Sequence, residues 1–78
     1  MPRIPIIKAK DFLKILIKYG CEEINIRSSH HKIFYPKTNR TSIVSIHGSY
    51  DLEKGAFAST LNQLDIDIED FLKFIEKS

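Results

Sequence analysis

The chain has 78 residues, a formal net charge of +2 and a single cysteine, Cys21. An internal disulfide is therefore excluded, and no apolar run approaches the ~20 residues that a membrane-spanning helix needs. Met1 to Lys8 lacks the apolar core of a secretory leader, and one cysteine fits a reducing compartment, so a complete, cytoplasmic chain is expected.

In chain order, Asp11 to Tyr19 reads as a helix, because Phe12, Ile15, Leu16 and Tyr19 recur at the spacing of one helical face. Gly20 follows as its stop, while Lys8-Ala9-Lys10 offers no capping side chain at its start. Glu22 to Arg27 reads as a strand with Ile24 and Ile26 on one face, and Ser28-Ser29 as a turn. His31 to Tyr35 reads as a second strand, ended by Pro36, and 37–40 as a polar hairpin loop. Thr41 to His47 reads as a third strand, with Ser42, Val44 and Ile46 on one face and Ile43 on the other, broken by Gly48.

Gly55 to Leu64 reads as a second helix with Phe57, Leu61 and Leu64 inward. Residues 65–67 interrupt it, and Asp67 is placed to cap a short last helix striped by Ile68, Phe71, Leu72 and Ile75. Short sequential connections make an antiparallel meander the expected sheet. The fold class is thus α+β, one domain over 1–78, with helices on one face of a three-stranded sheet. A domain this small buries only about 60% of the surface its unfolded chain exposes. A metal or a partner would add stability.

Charge is unevenly spread. Residues 1–54 hold ten Lys/Arg and five Asp/Glu, while residues 55–78 hold two and five. No acid occurs from Ile24 to Tyr50, a stretch that contains Arg27, Lys32, Lys37, Arg40 and all three histidines. That pattern fits a surface for a polyanion, and equally a solvated hairpin face. The four cations are candidate phosphate contacts, and Phe34 or Tyr35 among them could stack on a base. One open sheet face carrying Arg27, His30, Lys32 and Arg40 is expected. Lys54 and Gly55 stand at a helix start, where free N–H groups bind an anion or the glycine allows close packing. Cys21 reads as a small buried residue.

Several segments together are similar to the HicA family of toxin–antitoxin toxins. They are the short helix ending at Gly20, Ser29-His30-His31, Phe34-Tyr35-Pro36, Ile46-His47-Gly48, Lys54-Gly55 and Asp70-Phe71, running from about Pro5 to Phe71. Three positions depart from the usual pattern: Ser28 stands for a frequent Gly, Ser45 for a Pro and Ala56 for a Thr. If the first of these requires a positive φ, Ser28 is strained there.

The resemblance implies a fold similar to a double-stranded-RNA-binding domain. It further implies a type II toxin that cleaves mRNA, an endoribonuclease of the mRNA-interferase kind, partnered by a HicB-type antitoxin that covers the active surface. It makes His30 the catalytic residue, a general acid/base of suitable proton affinity, where the residues alone fit a surface histidine as well. Arg27, Ser29, Lys32, Lys37, Arg40 and Lys54 are then the substrate-binding set. No cofactor and no metal are expected. His30, His31 and His47 with Asp51 could in principle ligate one, but adjacent strand histidines diverge. His31 reads as mainly structural and His47 as a polar strand end. Ser29 has no Asp to orient a Ser–His pair and is rejected as a nucleophile. A non-catalytic RNA-binding module and a pure interaction protein are the competing functions.

Overall fold

The structure, a computed structural model, describes residues 4–77. Met1 to Arg3, the opening of the stretch read as lacking a leader, lie outside the described residues. The elements are α1 (Ala9–Tyr19), β1 (Glu22–Arg27), β2 (His30–Tyr35), β3 (Arg40–Ser45), α2 (Lys54–Gln63) and α3 (Ile68–Lys77). The strands form one antiparallel meander in the order β1-β2-β3. The α+β class, the meander and the one-sided helical cover are as expected. No helix among the described residues is long and apolar enough to cross a membrane.

Helix α1 begins two residues earlier than its apolar stripe implies. Its start has no side-chain cap; instead the Ala9 N–H donates to the Tyr50 carbonyl at 3.2 Å, and Leu52 N–H to the Ile7 carbonyl at 2.7 Å. A remote segment therefore satisfies one of the free donors at the helix start. The ends of α1 and α2 share one solution. Gly20 (φ +125°) donates to the Ile17 carbonyl and Cys21 to Leu16; Asp65 (φ +57°) donates to Asn62 and Ile66 to Leu61. Both are Schellman closures, in which two backbone N–H groups past the helix reach back to its last turn. Asp67 caps α3 as expected, its carboxylate accepting the Asp70 N–H at 3.0 Å. Helix α3 is as long as α2, ten residues each, rather than a short appendage.

The core lies between the helices and one face of the sheet. Phe12, Phe57 and Phe71 meet there, with ring centroids 5.0 to 5.8 Å apart. Leu16, Leu61, Leu64, Ile33 and Val44 are buried around them. Helix α1 also buries Ala9 and Leu13, which widens the expected stripe. Helix α3 packs on α1 and α2. Ser42, buried on the inner sheet face, donates from Oγ to Gln63 Oε1, so the one polar side chain of β3 in the core is satisfied.

Cross-strand register assigns each strand residue to a face. Ile33, Tyr35, Ser42 and Val44 point to the helices, while His30, Lys32, Phe34, Thr41, Ile43 and Ser45 point away. Strand β1 contains a bulge: Glu23 opposes Ile33 but Asn25 opposes Lys32, leaving Ile24 as the extra residue. The bulge inverts the alternation, so Glu23 shares the helix side with Ile33 whereas Asn25 and Arg27 face outward. The expected common face for Ile24 and Ile26 is thus broken, and both are about half exposed. Arg40 also departs from expectation. It opposes Tyr35, so it belongs to the helix-side row at the strand's exposed start and not to the open face. The third strand stops at Ser45 rather than His47, because Gly48 turns the chain at φ +62°.

Candidate functional site

The outward face carries an open depression of about 400 Å³ lined by Asn25, Arg27, His30, Lys32 and Ile43. Register explains how five residues from three strands converge. Asn25, Lys32 and Ile43 form one row across the sheet, and Arg27, His30 and Ser45 form the next. The tight Ser28-Ser29 turn places His30 directly opposite Arg27. Ser28 sits at φ +58°, the left-handed region that a glycine fills at less cost. Ser29 is half-buried, and its carbonyl accepts the Ile46 N–H at 2.8 Å, which ties the turn to the end of β3.

The two adjacent histidines part company here. His30 is exposed on the open face among cations. His31 is half-buried on the helix side, where its Nδ1 lies 2.8 Å from Glu23 Oε2. Among the described residues the close contacts between a basic and an acidic side chain are His31–Glu23 and Lys8–Asp51, and neither involves Arg27, His30 or Lys32. Glu23 lies on the helix side, whereas Glu22, opposite Phe34, lies on the open face one row beyond Lys32 and outside the lining of the depression. No group of three or more His, Cys, Asp or Glu side chains converges among the described residues.

The remaining sequence-derived candidates are dispersed. Lys37 and Arg40 flank the β2–β3 hairpin at the opposite end of β2 from His30, roughly 17 Å away at 3.3 Å per residue. That hairpin is tied to the end of α2 by Thr38 Oγ1, which donates to the Leu64 carbonyl at 2.7 Å. A larger depression of about 500 Å³ opens beside it, walled by Asp65, Asp67 and Glu69. Those carboxylates repel a polyanion, so volume alone is a poor guide to the site. Lys54 is the first residue of α2 and exposed, next to a third depression lined by Ser45, His47, Asp51 and Glu53. Of the two aromatics, Tyr35 is buried and Phe34 is half-buried on the open face. Cys21 is buried, and burial pushes its thiol up to about 11, so it is no thiolate nucleophile near neutrality. Asn25 and Ile43 were missed by sequence reasoning. No local signal marks them, because only the bulge and the register across three strands bring them beside His30.

A three-stranded meander with helices on one face and a basic, uncovered opposite face is the architecture of the double-stranded-RNA-binding-domain-like class. Within that class, the family model described as "HicA toxin of bacterial toxin-antitoxin" matches residues 9–66, from the first residue of α1 to the buried Ile66, and the chain belongs to that family. A comparison with curated proteins gives no match. The protein is accordingly a toxin of a toxin–antitoxin pair, and an antitoxin is its partner.

Proposed function

We propose that the protein is a metal-independent endoribonuclease of the mRNA-interferase kind, with His30 as its general acid/base. One observation carries this reading: the depression on the open face holds an exposed histidine between Arg27 and Lys32, with no acid among the described residues paired to any of the three. A neutral imidazole there takes the proton of an RNA 2′-hydroxyl. The 2′-oxygen attacks the adjacent phosphorus, the bond to the 5′-oxygen breaks, and the leaving oxygen gains a proton from the imidazolium. Arg27 and Lys32 hold the phosphate and offset its developing charge. The products are a 2′,3′-cyclic phosphate and a 5′-hydroxyl. Lys37 and Arg40 would meet the same strand several nucleotides away. A HicB-type antitoxin with an acidic face would cover the open sheet face and silence it.

The test is cleavage of an unstructured mRNA in excess EDTA by wild type and by His30→Ala. Wild type should cut and leave cyclic phosphate ends. The variant should lose about 10²–10⁴ in rate with an unchanged thermal melt, since His30 contributes nothing to the core. Wild-type rates from His30→Ala, or cutting that stops on EDTA addition, would overturn the mechanism. RNA bound but left intact by wild type would instead identify a non-catalytic RNA-binding module.

A further inference from the structure

Three of the five side chains around the depression are the histidine and two cations, which recognise a sugar–phosphate chain and no particular base. Asn25 and Ile43 are the other two, and their chemistry is different. Asn25 carries an amide with two donors and one acceptor. Among the described residues that amide makes no hydrogen bond within the chain. Ile43 is 56% exposed on the open face, directly across from Lys32, an apolar spot inside an otherwise polar depression. The two stand at either end of one row, with Lys32 between them.

The bulge at Ile24 is what aims Asn25. Without the extra residue, Asn25 would keep the parity of Glu23 and turn to the helix side; with it, Asn25 enters the depression while Glu23 stays on the helix side. Bulges recur beside functional sites because they re-aim one side chain. A bulge that only blunted a free edge would not require an amide at that position.

We infer that Asn25 and Ile43 form a nucleobase subsite beside the scissile phosphate, Ile43 contacting the face of one base and Asn25 selecting it by a donor–acceptor pair on its edge. This rests on the ribonuclease reading of the same depression. Arg27 and Lys32 fix the phosphate, His30 moves the proton, and the neighbouring base lies across the Asn25–Lys32–Ile43 row. A side-chain amide pairing two-pronged with a base edge discriminates among bases on the order of tenfold or more. Asn25 and Ile43 are therefore specificity residues, whereas His30 is the catalytic one.

The experiment uses the intact chain and short single-stranded RNAs in which each of the four bases is placed in turn at the positions flanking one cut site. Wild type should prefer one base at one flanking position by on the order of tenfold or more. Asn25→Ala should flatten that preference while still cutting. Asn25→Asp, nearly the same shape but without donors, should redirect it. Ile43→Ala should raise KM several-fold for every base while leaving the preference in place. Thermal melts of all three should match wild type, because both side chains are exposed. A preference unchanged in Asn25→Ala and Asn25→Asp overturns the subsite while leaving His30 catalysis standing. An uncut substrate with wild type overturns the ribonuclease reading and the subsite with it.

Discussion

The two faces of this sheet are built from the same kinds of residue and do opposite things. On the helix side, Ile33 is fully buried and His31 is held against Glu23; on the open side, Ile43 is half exposed and His30 stands unpaired between cations. His30 and His31 are neighbours in the chain, yet strand alternation sends them to different environments. One belongs to the packing of the domain and the other to its surface chemistry. Residue type therefore says little here until the face is known, and the face depends on register.

The sharpest way to break that contrast is to truncate the two isoleucines. Ile33→Ala should cost about 2–5 kcal/mol, because it leaves a cavity in a closed core. Ile43→Ala should stay within about 0.5 kcal/mol, as exposed substitutions usually do. Denaturant titration of both variants reads this directly. Equal costs would mean that the open face is closed in solution, by a second chain or by rearrangement.

A smaller effect is expected from His31→Ala. The contact with Glu23 is a single hydrogen bond of 2.8 Å between side chains 19% and 26% exposed, so its loss should cost about 0.5–1.5 kcal/mol. RNA cutting should persist in this variant, the reverse of His30→Ala. Cleavage assays beside thermal melts separate the two histidines, and loss of cutting in both would place them in one site after all.

Smallest of all is Ser28→Gly. Ser28 occupies φ +58°, where glycine avoids a steric cost of about 1 kcal/mol but adds freedom to the unfolded chain. A gain of at most about 1 kcal/mol in stability is expected, with cleavage unchanged because the turn already has the shape that glycine favours. A change in cutting rate would show that Ser28 and glycine hold His30 differently.

How much of this was legible before folding differs from element to element. The helices were, because Phe12, Leu16, Phe57, Leu61 and Phe71 follow helical spacing and are all buried. The stops at Gly20 and the cap at Asp67 were legible too, since each acts on backbone groups within a few residues of itself. The basic character of the middle of the chain was visible as an acid-free run, and the positive φ posed as a condition at Ser28 is present at +58°.

What only tertiary structure decided is how that charge is arranged. Alternation counted from Thr41 sets Ser42, Val44 and Ile46 on one side. Arg40 joins that side by the same alternation once the strand is known to start there and not at Thr41, and local pattern does not show that the hairpin bearing Lys37 and Arg40 lies beside an acidic turn. The bulge at Ile24 has no sequence signature, yet it sets Glu23 and Asn25 on opposite faces where plain alternation would put them on one, and so settles which side chains surround His30. One donor at the start of α1, the Ala9 N–H, is met by Tyr50, far along the chain, where no local cap exists. The physical reason is the same in each case. Periodicity and capping are local and act through a few neighbouring residues, so the sequence by itself determined the elements and their buried faces. Register, bulges and long-range hydrogen bonds are settled by partners that come together only when the whole chain folds, and in this protein the site is made of those.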